Sequence, residues 1–120
     1  MLFRSVQPKR STYNKLIAKA PDYEESKRWV DRMRAKGIRL DVVTYHRLIP
    51  KAPDYEEVKR LVDSMRGDSI RLRRFTYDQL IARAPDYEEA KRWADAMQAQ
   101  GIKPSVVTDA TLAAKARGRN

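Results

Sequence analysis

Residues 12–25 read TYNKLIAKAPDYEE, and the same pattern returns at 44–57 as TYHRLIPKAPDYEE and at 76–89 as TYDQLIARAPDYEE. The period of 32 residues divides the chain without a gap into three blocks: 10–41, 42–73 and 74–105. Such a period on helical sequence is typical of stacked units that cannot bury their apolar faces alone. The sequence therefore predicts three structural repeats.

Each block contains two amphipathic segments, which block one illustrates. In the first segment, inward-facing residues lie three and four positions apart: Tyr13, Leu16, Ile17 and Ala20. In the second segment, the same spacing recurs: Tyr23, Ser26, Val30 and Met33. This spacing places one apolar stripe on each of two helices. Each block is therefore predicted to be a helical hairpin, whose helices we call helix A and helix B.

Helix B carries start and stop signals. Asp22 is predicted to cap its first amides, with Glu25 reaching back to form a capping box. Gly37 and Gly101 are predicted to close helix B in the left-handed conformation, whereas block two has Gly67-Asp68-Ser69 there. Pro50 is predicted to bend or end helix A of block two, because an interior proline costs about 3 kcal/mol.

The ends of the chain follow the same register. Residues 1–9 form a predicted lead-in, in which Val6-Gln7-Pro8 aligns with the tail of a repeat. Residues 106–120 align with helix A but carry Asp109 in place of its tyrosine, and they are predicted to form a capping half-repeat with a basic tail. The whole chain is expected to form one domain of helical repeats.

Composition limits the function. The formal net charge is +10, and the isoelectric point of about 10.1 favours polyanionic partners. The chain has no cysteine and no apolar run long enough to span a membrane, so we expect an intracellular, cytoplasmic protein. Because Met1 to Arg10 is basic and lacks acidic residues, an organelle remains the alternative.

Catalytic signatures are missing. With one histidine, no cysteine and no glycine-rich loop, the sequence shows no nucleophile–base pair, metal cluster or phosphate cradle of known spacing. Helix capping accounts for the repeated Asp-x-Glu-Glu groups. We therefore expect no enzymatic activity, no metal site and no cofactor.

Cations recur on helix A, which contains almost no acidic residue. One register, which we call the cation ladder, holds Lys19, Lys51, Arg83 and Lys115. Lys15 and Arg47 join it one turn earlier. A ladder at the repeat spacing can follow a phosphate backbone. The alternative is that these cations only stabilise the C-terminal end of the helix dipole.

Several segments together resemble the pentatricopeptide repeat. They are Val42-Val43-Thr44-Tyr45, Leu48-Ile49, Tyr87-Glu88-Glu89-Ala90 with Met97, and Gly101-Ile102-Lys103-Pro104. Relative to that family, helix A lacks about three residues between Ile17 and Lys19, which is close to one helical turn. The resemblance implies an all-α fold: a right-handed α-solenoid of three helix-turn-helix repeats plus a C-terminal capping helix.

The resemblance also implies base recognition, with A helices on the concave face and one base per repeat. In the family, two residues per repeat select the base, and here the pairs are Asn14 with Asp41, His46 with Arg73, and Asp78 with Ser105. The first pair matches a family combination that favours uracil. The base-stacking positions are Val43, Phe75 and Val107, with Ser11 the poorest candidate. Tyr13, Tyr45 and Tyr77 are instead predicted to pack in the core.

Two functions stay open. The first is binding of single-stranded RNA, with phosphates on the helix-A cations and limited base preference. The second is a protein-interaction scaffold that binds an acidic peptide or a partner helix. The shortened repeat favours it, as does the lack of a common family combination in the pairs His46 with Arg73 and Asp78 with Ser105. Three repeats touch few nucleotides, so a partner, self-association or a further domain would raise affinity; the sequence leaves the oligomeric state open.

Overall fold

The computed structural model describes residues 8–118, and this part of the chain contains seven α-helices and no strand. The helices are α1 (Arg10–Lys19), α2 (Tyr23–Ala35), α3 (Val42–Leu48), α4 (Tyr55–Gly67), α5 (Arg74–Arg83), α6 (Tyr87–Ala99) and α7 (Val106–Arg117). Helices α1, α3, α5 and α7 begin at the first residue of each predicted block and of the half-repeat. The predicted all-α class is confirmed. The lead-in lies outside the described residues, apart from Pro8 and Lys9.

Contacts divide the chain into two compact units, Met1–Lys51 and Ala52–Asn120, which are described separately. The boundary falls inside the predicted second repeat, after the 3-10 turn Ile49–Lys51 that follows α3. Between residues 8 and 118, no helix has the length and apolar character needed to cross a membrane.

In the first unit, α1 packs against α2 and α3. Residues that are completely or almost completely buried form its core: Ile17, Met33, Tyr45, Leu48 and Ile49. Tyr13 is only 4% exposed, so it and Tyr45 pack in the interior as predicted. The apolar stripes of α1 and α2 therefore meet within the first hairpin.

In the second unit, α5 contacts α4, α6 and α7. One core cluster consists of buried Ile81, Ala84, Ala90 and Ala94. Tyr55, Trp93 and Leu112 pack against this cluster from three different helices. Leu112 is the contribution of α7 to the cluster, whereas Val106 at the start of that helix is 85% exposed.

The helix B caps are confirmed in part. The Asp22 carboxylate accepts a hydrogen bond from the Glu25 amide at 2.8 Å, and the Asp54 and Asp86 carboxylates act in the same way. The predicted capping box of Glu25 is wrong, because its carboxylate binds the Arg28 guanidinium at 2.8 Å instead. A charge-assisted bond to a cation one turn later thus replaces the bond to the cap amide.

Helix B ends in the left-handed conformation in all three blocks. Gly37 and Gly101 have φ values of +74° and +80°, and Ser69 takes the equivalent position with φ +60°. The next amide then bonds back to a methionine carbonyl, as Ile70 N does to Met65 O at 2.8 Å. In block two this conformation is sterically unfavourable, because the Cβ atom of Ser69 lies too close to the following carbonyl oxygen.

Pro50 shortens helix A of block two as predicted. Helix α3 has seven residues, whereas α1 and α5 have ten. The chain continues as a 3-10 turn because proline has no amide to donate into the helix.

The tryptophans differ in their partners. Trp93 Nε1 donates to the Tyr55 hydroxyl at 2.6 Å, so this residue connects helix B of block three to helix B of block two. The Trp29 ring lies 6.4 Å from the Tyr13 ring of its own hairpin. Burial and the Glu89 carboxylate, which accepts from the Tyr55 hydroxyl, raise the pKa of Tyr55 to about 12 against the opposing bond from Trp93.

Candidate nucleic-acid interface

In the first unit, the predicted base-contacting pair is brought together. Asn14 on α1 is 8% exposed, and its Nδ2 donates to Asp41 Oδ1 at 3.4 Å. The Thr44 hydroxyl donates to Asn14 Oδ1 at 2.7 Å. These bonds hold the Asn14 amide in one orientation, with its oxygen toward Thr44 and its nitrogen toward Asp41.

Asp41 and Thr44 form a capping box at the start of α3. The Thr44 amide donates to Asp41 Oδ1 at 3.0 Å, and the Asp41 amide donates to the Thr44 hydroxyl at 3.3 Å. Burial acts to raise the pKa of Asp41, but the bonds from Thr44 and Asn14 and the charge of Arg10 outweigh it and lower that pKa. Asp41 is therefore an anion at neutral pH.

A groove of about 420 Å³ opens around this network, and we call it the α1–α3 groove. Its lining consists of Arg10, Ser11, Asn14, Lys15, Asp41, Val43 and Arg47. The sequence had predicted base or phosphate contact for all of these except Arg10 and Ser11, of which Ser11 was the poorest stacking candidate. The Arg10 Nε donates to the Arg39 carbonyl at 2.7 Å and lies 4.0 Å from Asp41 Oδ2. Base-contacting, stacking and cationic side chains thus line one depression.

The second unit repeats this arrangement as the α5–α7 cluster, which we define as Phe75, Asp78, Ser105, Val107 and Thr108. The Thr108 hydroxyl donates to Asp78 Oδ1 at 2.7 Å, and the Ser105 amide donates to Thr108 Oγ1 at 3.1 Å. The predicted partners Asp78 and Ser105 are therefore connected through Thr108.

Charge distinguishes the two sites. Positions 79 and 111 correspond by the repeat period to Lys15 and Arg47, and they hold Gln79 and Thr111. The α5–α7 cluster therefore lacks the two cations that Lys15 and Arg47 contribute to the α1–α3 groove.

Sequence reasoning missed the two threonines that link each site. Thr44 and Thr108 are 0% and 1% exposed and take the third position of their helices. An Asp or Ser three residues before a threonine at a helix start was the available signal. Block three has Arg73 before Thr76, and α5 accordingly begins without a side-chain cap.

The residues of the remaining predicted pair belong to different units: His46 to the first and Arg73 to the second. His46 lies half-buried on α3, and Arg73 is the exposed residue that precedes α5. Their joint contact with a base stays a prediction.

Most of the cation ladder reaches carbonyl oxygens at helix ends. The Lys51 ammonium donates to the carbonyls of Ile17, at 2.6 Å, and Ala20, at 2.8 Å. Lys115 donates to the Ala84 carbonyl at 2.7 Å, and Arg83 donates to the Ala52 carbonyl. Such carbonyls lack helical partners and lie at the negative end of the helix dipole. The phosphate role of these three cations stays a prediction. Phosphate contact by Lys19 also stays a prediction, and its side chain is exposed.

The stacking positions are accessible. Val43, Phe75 and Val107 are 41%, 37% and 64% exposed, although large apolar side chains are usually buried. Ser11 is exposed as well. Among residues 8–118, no group of three or more His, Cys, Asp or Glu side chains is placed to hold a metal ion.

Comparisons with known proteins support the repeat family and the fold. A family model described as pentatricopeptide repeat domain matches residues 28–84. No curated protein sequence matches the chain. The fold is similar to the crystal structure of PPR10, a pentatricopeptide repeat protein in complex with an 18-nucleotide psaJ RNA element, with 23% identity and a TM-score of 0.71. The match covers 89% of this chain but 17% of that one, and a triple cysteine-to-serine variant of PPR10 gives the same values.

Proposed function

We propose that this chain, which is a pentatricopeptide repeat protein, binds single-stranded RNA and catalyses no reaction. The observation that carries the proposal is the α1–α3 groove, whose lining combines the bonded Asn14 and Asp41 with Val43, Lys15 and Arg47. Single-stranded RNA requires this combination, because unstacked bases need hydrogen bonds and a flat contact while phosphates need cations.

The groove has the hydrogen-bond polarity of a uracil site. One Asn14 Nδ2 hydrogen is held by Asp41, and the second hydrogen is available to a base carbonyl. The anionic Asp41 carboxylate accepts from a base N–H. Uracil presents a carbonyl next to its N3–H, so it matches a donor beside an acceptor. This match supports a preference for uracil at the first site.

Phosphate binding is proposed for the exposed cations of the groove: Arg10, Lys15 and Arg47. Three such contacts on single-stranded RNA give a slope of about −2 for log K against log salt. Affinity is therefore modest, and a further partner or domain would add to it.

The test measures binding of a short oligouridine at several salt concentrations. The Lys15→Gln/Arg47→Gln variant should bind more weakly, with a slope shallower by about 1.4. Lys36→Gln/Lys91→Gln removes the same charge from exposed positions on the helix B side and should leave the slope unchanged. Equal slopes for the two double variants would exclude the groove as the phosphate contact.

Base preference is tested separately with Asn14→Ala. This variant should lose the preference for uridine over cytidine and adenosine homopolymers at an unchanged salt slope. A preserved preference would mean that Asn14 contacts no base.

Binding of a protein, either an acidic peptide or a partner helix, is the second candidate, and the exposure of apolar Val106 and Val107 on α7 favours a protein contact. An oligoglutamate peptide serves as the probe. Tight peptide binding together with absent binding of all homopolymer RNAs would replace the RNA proposal by this one.

A further inference from the structure

We infer that the α5–α7 cluster recognises guanine, with Asp78 as the residue that selects it. The inference rests on the proposed RNA-binding function and adds a base identity at the second site. The two sites share a register but differ in hydrogen-bond polarity, and this difference is the starting observation.

At the first site the helix-A side chain is an amide that donates. Asn14 already accepts from Thr44, so the hydrogen that remains on its nitrogen is what it offers to a ligand. At the second site the equivalent side chain is a carboxylate, which can only accept. The bases that suit the two sites must therefore differ.

The Asp78 carboxylate is held in place from one side. Its Oδ1 accepts from the Thr108 hydroxyl at 2.7 Å, and that hydroxyl oxygen accepts from the Ser105 amide at 3.1 Å. Thr108 is only 1% exposed, so the hydroxyl at the centre of this chain of bonds is shielded from water. Between residues 8 and 118, Oδ2 of Asp78 has no hydrogen-bond partner and Asp78 forms no ion pair, and the side chain is half-exposed. The cluster thus presents an oriented anionic acceptor.

Among the four bases, guanine complements such an acceptor. Its Watson–Crick edge places the N1–H and the N2 amino group side by side, so both oxygens of one carboxylate can accept from it. Adenine and cytosine offer one amino group next to a ring nitrogen acceptor, and uracil places its N3–H between two carbonyls. In those three bases a lone pair faces the carboxylate and repels it.

The surroundings of Asp78 favour base contact over phosphate contact. Phe75 and Val107 are 37% and 64% exposed, and both lie in the same unit as Asp78. Gln79 and Thr111 replace two of the three cations of the first site, and Arg74 alone remains at the Arg10 register, so phosphates gain less here. Recognition by this cluster is therefore expected to change base preference and to leave the salt slope alone.

The experiment uses oligouridines in which one position at a time carries guanosine, adenosine or cytidine. In the best register, guanosine should tighten binding by about tenfold, which is the scale of a bidentate base contact, and the other two bases should not. Asp78→Asn should abolish this gain, because an amide presents one acceptor and one donor. The gain is the ratio of the guanosine-containing to the all-uridine affinity within each protein, so it does not depend on how tightly the variant binds the all-uridine RNA. The salt slope should stay that of the parent chain, because Asp78 carries no positive charge to contact a phosphate.

The matched control is Asp109→Asn, which makes the same charge change at an exposed position in the first turn of α7. It should retain the guanosine gain. Equal binding of all RNAs by the parent chain, or a guanosine gain that survives in Asp78→Asn, would overturn the inference and leave RNA binding intact. Failure of the parent chain to bind any of these RNAs would overturn the proposed function itself.

Discussion

The Lys51 ammonium lies 2.6 Å from the carbonyl oxygen of Ile17, which is 34 positions earlier in the chain. It also reaches the Ala18 carbonyl at 3.1 Å and the Ser26 hydroxyl at 3.2 Å. A cation of the second block therefore completes the C-terminal end of helix A in the first block. Lys115 makes the same contact with Ala84 in the second unit. In this register, a cation stabilises the preceding repeat rather than its own helix.

Replacing Lys51 tests this contact. Lys51→Met should lower the free energy of unfolding by about 1 to 3 kcal/mol, because several carbonyls lose a charged donor. Urea unfolding followed by circular dichroism measures the change. Lys19→Met is the control and should stay within about 0.5 kcal/mol, since Lys19 is exposed. Equal unfolding midpoints for the two variants would contradict the structural role of Lys51.

A cap can be added where block three lacks one. Arg73→Asp should raise the free energy of unfolding by about 1 kcal/mol, because Thr76 is poised to complete the box that Asp41 and Thr44 form. Thr76 Oγ1 is buried and has no hydrogen-bond partner within residues 8–118. Thermal unfolding measures the gain. Arg71→Asp makes the same charge change outside the cap position, and an equal gain there would show that charge alone is responsible.

The left-handed residue of block two offers a second stabilising change. Ser69→Gly should raise the free energy of unfolding by about 1 kcal/mol, because glycine adopts φ +60° without the steric cost of a Cβ atom. The reverse change, Gly101→Ser, should lower it by a similar amount. A Cβ atom at Gly101 would meet nothing within 4 Å, so only the backbone is strained. Thermal midpoints that do not move in opposite directions would refute this account.

Asp41 should make the stability of the first unit depend on pH. Its pKa lies below the ordinary value of 3.8 in the folded chain, so the stabilisation is complete above that value and is lost as the pH falls through the folded pKa. Asp41→Asn should therefore reduce the difference between urea midpoints measured at neutral pH and below pH 3.8. The control Asp31→Asn, at an exposed position on α2, should retain the difference. An equal loss of stability on acidification in the parent chain, Asp41→Asn and Asp31→Asn would show that Asp41 is not the source of the pH dependence.

Local patterns were sufficient for the helices and most of the core. Apolar spacing identified Ile17 and Met33 as buried, and Asp22 and Gly37 were recognised as the two ends of helix B. Pro50 was recognised as the residue that bends or ends helix A of block two, and α3 ends at Leu48, two residues before it. The helix ends depend on interactions within about one turn of the residue, and the spacing of apolar residues within one helix identifies the face that the neighbouring helices bury.

The site required the packing of successive repeats. Thr44 meets Asn14 across 30 positions, and Thr108 meets Asp78 across the same separation. The two pairs occupy equivalent positions of the repeat, yet the first contains the amide of Asn14, which can donate, and the second contains the carboxylate of Asp78, which can only accept. Likewise, the spacing of Lys51 is compatible with a phosphate ladder or with a helix-end contact, and the tertiary fold brings its ammonium to carbonyls from the preceding repeat. Periodicity is a property of the local chain, whereas the partner of a long polar side chain is decided by which carbonyl or hydroxyl the neighbouring helix places within hydrogen-bond distance.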